Sequence, residues 1–184
     1  MNSHRLLATL AVIALAGLGL AACASLTAGP VGNAAVPPPT KPVDLTRYVG
    51  LWYEMARYEN RFERNCEAVT AEYRQRPDGL IDVINSCHKA SVEGPLKVAK
   101  GRAKVVAGSA NAKLKNAFFG PFFGDYWVLD RADDYSRSIV GEPSGRYLWI
   151  LTRQANPDPA TRELLHARVK TLGYDTRLLR QTAH

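Results

Sequence analysis

Short segments of alternating apolar and polar residues, separated by turns, fill most of this sequence between residues 50 and 153. Aromatic and β-branched residues are frequent in these segments, and turn-forming residues such as Pro77-Asp-Gly79 separate them. No stretch between them has the three- and four-residue apolar spacing of a helix. Because parallel neighbours need long crossover connections, the pattern predicts antiparallel strands that follow one another in chain order.

The pattern predicts eight strands, one helix and a short closing strand. The helix is expected over 161–172, with one apolar stripe that includes Leu164, Leu165 and Val169, and with Gly173 ending it. Gly101 is a candidate β-bulge. The predicted strands cover residues 52–58, 67–74, 80–87, 97–107, 112–119, 126–130, 138–141 and 146–153, with a further short strand within 174–181.

These elements predict an all-β fold, an eight-stranded up-and-down antiparallel barrel with one C-terminal α-helix packed outside. Closing the sheet removes exposed edges that would otherwise pair with other chains. An eight-stranded barrel has an interior that holds side chains or one small ligand. A β-sandwich is the alternative architecture.

The first 22 residues are typical of a bacterial lipoprotein signal peptide. Arg5 precedes an uncharged apolar run over residues 6–20, which is too short to span a bilayer. Leu20-Ala-Ala-Cys23 resembles the lipobox, in which the cysteine is acylated and becomes the new N-terminus. This interpretation assigns residues 1–22 to the signal and makes Cys23 a lipid anchor to a membrane. An ordinary secretory signal that ends near a cysteine is the alternative.

A linker and one domain are expected after the signal. Ala24 stands where an aspartate would favour the inner membrane in lipoproteins, so the resemblance implies the outer membrane, on its periplasmic side. Residues 23–42 are rich in proline, glycine and alanine and are interpreted as a flexible or extended linker. Residues 43–184 remain, which is enough for one domain with a substantial core.

Charge and cysteine content narrow the function further. The net charge is +7, but acidic residues are interleaved with the basic ones, which argues against a nucleic-acid partner. Cys66 and Cys87 flank the Pro77-Asp-Gly79 turn from opposite sides. In an oxidising compartment the sequence favours a disulfide between them.

The sequence contains no motif that predicts catalysis, a metal or a cofactor. His4, His88, His166 and His184 are scattered over the chain, and none of the common hydrolase or zinc-protease motifs is present. An enzyme that uses Cys66 or Cys87 as a free thiol, acting as a lipid isomerase or hydrolase, is kept as an alternative.

Three motifs in order resemble the lipocalin family, and in particular its bacterial outer-membrane branch. Gly50-Leu-Trp52-Tyr53 is similar to the G-x-W motif, and Asp134-Tyr135 to the second motif. Arg153 resembles the arginine of the third motif, which packs on the tryptophan. The resemblance covers about residues 44–182. It implies that Trp52 and Arg153 close one end of the barrel by a cation–π contact.

The resemblance also implies a ligand, a fatty acid or a lysophospholipid carried or stored in the barrel. Phe62 is a candidate lid in the first loop, and Arg57, Arg61, Arg64, Lys113 and Lys115 form a candidate basic rim. Aromatic or branched candidates for the lining are Tyr58, Val69, Tyr73, Val83, Phe118, Phe122 and Tyr126, although each could instead pack between the helix and the wall. A purely structural envelope protein is a further alternative, and the sequence leaves open whether two copies form a homodimer.

Overall fold

A computed structural model describes residues 29–184, so the signal over 1–22 and the anchor at Cys23 lie outside the described residues. Within residues 31–184, nine strands form one sheet. The strands are β1 (Gly50–Tyr58), β2 (Cys66–Gln75), β3 (Ile81–Lys89), β4 (Leu96–Val105), β5 (Lys113–Ala117), β6 (Gly124–Arg131), β7 (Arg137–Gly141), β8 (Leu148–Thr152) and β9 (Leu179–Gln181).

The first eight strands close into an up-and-down barrel. Each strand from β2 to β7 pairs antiparallel with the next, and β1 pairs with both β8 and β2. Gly50 lies opposite Tyr73 of β2, while Tyr53 lies opposite Thr152 of β8. The predicted barrel is therefore confirmed, and the β-sandwich alternative is wrong.

The wall between β1 and β2 is completed by β9. Beyond Tyr53 the two strands separate, and β9 pairs with β1 from Ala56 to Tyr58. On its other side, the amide of Ala68 in β2 donates to the carbonyl of Ala183. The predicted short closing strand is confirmed, and it is part of the barrel wall.

The two ends of the barrel differ in how they are covered. At one end, the closed end, lie the short helix α1 (Leu45–Tyr48) and the loops 76–80, 106–112 and 132–136. The other end is named the mouth, and its four mouth loops are 59–65, 90–95, 118–123 and 142–147. The chain alternates between the two ends because every strand is antiparallel to the next.

The helix α2 (Pro159–Thr171) packs on the outer wall, as predicted. Asp158 caps its N-terminus by accepting a hydrogen bond from the amide of Thr161, and Gly173 follows its C-terminus at φ +89°. Leu165 and Val169 are buried against the barrel. Leu164 is 47% exposed, so its place in the apolar stripe was wrong, because adjacent helical residues point about 100° apart. No helix in the described part of the chain has the length and hydrophobicity needed to cross a membrane.

Gly101 is not a bulge. The pairing of β3 with β4 continues without a register shift through Val83 and Gly101. A Cβ at residue 101 would lie 2.7 Å from both the ring of Phe118 and the carbonyl oxygen of Ala117. The glycine is needed for this close approach rather than for an irregular strand.

Residues 31–43 form an extended strap along the outside of the barrel. At the mouth, the amides of Gly32 and Asn33 donate to the carbonyl of Gly145. At the closed end, the amide of Val43 donates to the carbonyl of Ala110. Of the predicted linker over residues 23–42, residues 31–42 follow the outer surface of the barrel.

Candidate functional site

The tryptophan of the G-x-W motif seals the closed end. Trp52 is fully buried, and its indole Nε1 donates a 2.8 Å hydrogen bond to the carbonyl of Tyr48. The guanidinium carbon of Arg153 lies 3.7 Å from the centre of the indole ring. The two residues form the cation–π pair that the resemblance implies.

Arg153 also fixes α1 over the closed end. Its guanidinium donates at 2.6–3.1 Å to the carbonyls of Arg47, Tyr48, Val49 and Leu51. A cation is well placed at the end of a helix, where carbonyls have no partner within the helix. Gly50 lies within this group at φ +94°, a conformation that favours glycine.

Tyr135 of the second motif also contacts the residues around α1 at the closed end. The hydroxyl of Tyr135 accepts a 2.7 Å hydrogen bond from the amide of Asp44, the residue that caps α1. The guanidinium groups of Arg47 and Arg131 each lie 4.4 Å from the centre of the Tyr135 ring. All three motifs therefore meet around α1.

A buried network of hydroxyl groups lies above the Trp52 plug, inside the barrel. The hydroxyl of Tyr126 is 3.0 Å from that of Tyr48 and 2.9 Å from that of Tyr73, and Tyr48 is 3.1 Å from Ser138. Burial raises the pKa of all three tyrosines above the usual value, so these groups stay neutral. Two predicted lining residues, Tyr73 and Tyr126, are thus used in the floor of the interior.

Small residues line the half of the barrel nearer the mouth. The strand register places Ala71 and Ala99 on the inner face. Although they face inward, both keep part of their surface accessible, and from this we infer an open chamber in this half. An eight-stranded barrel with small inner residues has room for one ligand.

Two asparagines face this chamber. Asn85 follows Val83 on the inner face of β3, and Asn116 lies between Leu114 and Phe118 on the inner face of β5. Their Oδ1 atoms are buried and have no hydrogen-bond partner among the described residues. Sequence reasoning missed both, although a polar residue at an inward position of an alternating strand was a usable signal.

The structure separates the predicted lining residues into three groups. Val69, Val83 and Phe118 face the interior, and Val69 packs beside the cysteines, while their contact with a ligand stays a prediction. Tyr73 and Tyr126 belong to the hydroxyl network. Tyr58 and Phe122 do not face the interior; Tyr58 packs between the wall and the helix, which was the alternative that the sequence left open.

A bulge explains the error at Tyr58. The pairing of β1 with β8 shifts register between Glu54 and Ala56, which reverses the inward and outward alternation that starts at Trp52. Tyr58 therefore points outward, where its hydroxyl donates to the carbonyl of Asp175 and its ring lies against Tyr174.

Phe122 lies in the mouth loop 118–123 with 81% of its surface exposed, so it does not line the chamber. Phe62, the candidate lid, also lies at the mouth. Its ring centre is 6.2 Å from that of Tyr147, and it is half exposed. Its action as a lid stays a prediction.

The same bulge turns Arg57 into the barrel, where it is fully buried. Its Nη1 donates to the carboxylate of Glu54 at 2.7 Å and to the hydroxyl of Thr182 at 3.2 Å, and its Nη2 donates to the carbonyl of Glu63 at 2.9 Å. The carboxylate of Glu63 accepts from Trp149 Nε1 at 2.9 Å. This cluster fixes the mouth loop 59–65 to the inside of the wall.

The cluster holds more acids than bases. Glu54, Glu59 and Glu63 all lie within 4.0 Å of the single guanidinium of Arg57. Burial, together with the negative charge of Glu63, raises the pKa of Glu54 from 4.5 to about 8, although Arg57 opposes the shift. Glu54 therefore holds a proton more readily than an ordinary carboxyl group.

The predicted basic rim is only partly present. Arg57 is buried and paired with acids, so it is not available to an anionic head group. Lys113 and Lys115 point outward on β5, where they contact the Trp127 ring and Asp125. Arg61 and Arg64 are exposed on a mouth loop, as predicted.

The two cysteines are joined, as the sequence favours. Cys66 and Cys87 form a disulfide with a Cα–Cα distance of 5.4 Å, and it links the mouth ends of β2 and β3. The thiol-enzyme alternative needs one of them free. Because both sulfur atoms are in the disulfide, neither cysteine offers the free thiol that this hypothesis needs.

Taken together, a sealed floor, small inward-facing residues above it and an open mouth are typical of the class of β-barrel proteins that enclose one small apolar ligand. The chain belongs to the lipocalin family, because the family model of the lipocalin-like domain matches residues 43–184.

Relatives and solved structures agree with this membership. The chain is 40% identical over 159 residues to the outer membrane lipoprotein Blc of Vibrio cholerae, covering 85% of this chain and 92% of the relative. It is 36% identical to temperature-induced lipocalin-1 of Arabidopsis thaliana, over 77% of this chain and 80% of the relative. The structure of insecticyanin from Manduca sexta shares the fold, with a TM-score of 0.66 at 21% identity over 80% of this chain and 84% of the other.

Proposed function

We propose that this protein is a lipid-anchored lipocalin on the periplasmic side of the outer membrane, and that it binds and carries or stores lipids with one acyl chain. Fatty acids and lysophospholipids are the proposed ligands. The observation that carries the proposal is the set of small, partly accessible residues that face inward above the sealed floor. Relatives named as outer membrane lipoproteins support the location.

The chamber can supply enough energy for binding. Burying about ten methylene groups contributes roughly 8 kcal/mol, at ~0.8 kcal/mol per methylene. The loss of translational and rotational freedom costs several kcal/mol of this. The remainder is consistent with affinity in about the micromolar range without any specific polar contact.

The charges of the interior favour an arrangement with the tail inside and the head at the mouth. The inward-facing Arg57 is surrounded by acids, so it does not attract a second anion. Lys97, opposite Cys87 at the mouth end of β4, is exposed and could meet a carboxylate or phosphate. Asn85 and Asn116 could accept hydrogen bonds from a ligand hydroxyl group deeper in the chamber.

Titration of the delipidated protein with a fluorescent fatty-acid analogue tests binding. We expect saturation at one ligand per chain and competition by lysophospholipid. A purely structural envelope protein, the remaining alternative, gives no saturable signal.

A pair of neighbouring variants tests where the ligand binds. Ala99→Phe places a ring inside the chamber, and Lys100→Phe places the same ring on the outer face of the same strand. We expect the first to weaken binding by roughly tenfold or more, because it fills space needed by several methylenes. Equal affinities of the two variants would move the ligand site out of the barrel.

The proposed anchor has its own test. Mass spectrometry of the protein isolated from membranes should find acyl groups on an N-terminal Cys23, and Cys23→Ala should release the protein into the soluble fraction. An N-terminus at another residue, without acyl groups, would instead support the ordinary secretory signal.

A further inference from the structure

Exposed apolar side chains are concentrated at the mouth. Phe62, Phe119 and Phe122 are 51%, 74% and 81% exposed, and all three lie on mouth loops. Leu96 and Val98, on the adjoining end of β4, are also exposed. Nearer the closed end, the exposed large apolar residues of the described chain are Leu51 and Leu164, at 43% and 47%. Phenylalanine at the tip of a loop is costly in water, and such patches mark interaction sites.

Basic side chains lie beside this apolar surface; of the nearby acids, Glu93 in the loop 90–95 is exposed, while others have partners. Arg61, Arg64 and Lys97 are exposed at the mouth. By contrast, Glu63 is held by Trp149 and Asn60, and the carboxylate of Glu142 accepts hydrogen bonds from the backbone of its own loop. The mouth therefore offers apolar rings with accessible cations beside them, a combination that suits an anionic lipid surface.

The strap places the start of the folded unit at the same end. Gly32 and Asn33 are bonded to Gly145 in the mouth loop 142–147. Eight peptide links separate Cys23 from Val31, and these span at most about 28 Å when fully extended. An acyl chain on Cys23 would therefore hold the mouth, rather than the closed end, near the bilayer.

We propose that the mouth docks directly on the membrane that holds the anchor, with Phe119, Phe122 and Phe62 inserted among the lipid head groups and the neighbouring cations on anionic lipids. In this position the hollow half-barrel opens onto the bilayer, and an acyl chain passes between them without crossing water. The inference rests on the proposed acylation of Cys23, because the lipid anchor is what would keep the mouth close to the membrane. Tethering raises the local concentration of the docking surface, so weak contacts suffice.

A lipid surface fits the mouth better than a second copy of the chain does. The phenylalanines lie on two separate loops, 59–65 and 118–123, which join strand pairs on opposite sides of the barrel. A fluid bilayer accommodates separate projections, whereas a symmetric dimer needs a continuous, self-complementary patch.

Spin-label depth measurements test the docking. The acylated protein is reconstituted in vesicles of phosphatidylethanolamine and phosphatidylglycerol, with a nitroxide on Phe122→Cys or, as a control, on Asp133→Cys, whose side chain is 94% exposed at the closed end. Native cysteines do not compete for the label, since Cys66 and Cys87 are joined. We expect oxygen to relax the label at 122 more than a water-soluble nickel complex does, and the reverse at 133.

Three results would overturn the inference. The label at 122 could be as accessible to nickel as the label at 133, its depth could be the same without phosphatidylglycerol, or labels at 122 in two chains could show one short, fixed distance. The last result would identify a second copy as the occupant.

Loading kinetics separate this inference from the proposed function. Phe119→Ser with Phe122→Ser should slow the uptake of a fluorescent fatty acid from the vesicle by roughly tenfold or more. Its affinity for the same ligand supplied from solution should not change. Leu164→Ser, which removes an exposed leucine from α2, is the matched control and should load normally. If the double variant takes up the fatty acid from vesicles at the native rate, the docking is refuted and the proposed function is not. If the native protein does not bind the fatty acid at all, the proposed function is refuted.

Discussion

The closed end and the mouth of this barrel are built from opposite kinds of contact. At the closed end, the guanidinium of Arg153 stacks on the Trp52 ring, and both side chains donate hydrogen bonds to carbonyls around α1. At the mouth, Phe119 and Phe122 have most of their surface in water. The comparison teaches that stability and interaction are assigned to different ends. The end without a ligand path has its polar groups paired, and the end that opens to the ligand keeps apolar surface exposed.

The largest expected effect breaks the closed end. Trp52→Ala should lower the free energy of unfolding by about 3–5 kcal/mol, because it removes a fully buried ring and leaves a cavity. Phe122→Ala at the mouth should change it by less than about 0.5 kcal/mol. Urea denaturation of both variants measures the difference, and similar losses would refute the assignment of stability to one end.

The disulfide tests whether the mouth needs a covalent link. Replacing Cys66 and Cys87 by alanine should cost about 3 kcal/mol, since the bond constrains the unfolded chain. Hydrogen exchange should accelerate at Lys89 and Cys66, beside the mouth, before it does at Gln75 and Ile81 near the closed end. Uniform acceleration along β2 and β3 would show that the two ends are not independent.

Glu54, in the buried cluster near the mouth, should make the free energy of unfolding depend on pH. Its pKa is raised in the folded protein from 4.5 to about 8, so the folded state binds the proton more tightly than the unfolded state. The resulting stability is complete below pH 4.5 and is lost as the pH rises through 8. Between pH 6 and pH 8 the loss should be about 2 kcal/mol.

Glu54→Gln is the control, because an amide does not titrate. Its free energy of unfolding should change less than that of the native protein between pH 6 and pH 8. Parallel profiles for the two proteins would mean that Glu54 is ionised throughout this range.

The smallest effect concerns the hydroxyl network above the floor. Tyr126→Phe removes the hydroxyl between Tyr48 and Tyr73 and should cost about 1 kcal/mol. Ligand affinity should be unaffected, because the network belongs to the floor. A clear change in affinity would place the ligand deeper than proposed.

The sequence was sufficient for the barrel, because strand alternation and turn residues are local signals. The contact between Trp52 and Arg153 came from the resemblance to the family. It failed where a single residue changes the alternation. The bulge after Glu54 cannot be seen in the letters of β1, yet it decides that Arg57 faces inward and Tyr58 outward. The burial of Arg57 depends on Thr182, more than a hundred residues away, which no local pattern reports.

The role of β9 in the wall has a consequence for the order of folding. The gap between β1 and β2 can be filled only after residues 179–183 are available, although both flanking strands are synthesised far earlier. Until then, the gap between β1 and β2 beyond Tyr53 stays open. The barrel therefore cannot close around its interior until its last residues have arrived.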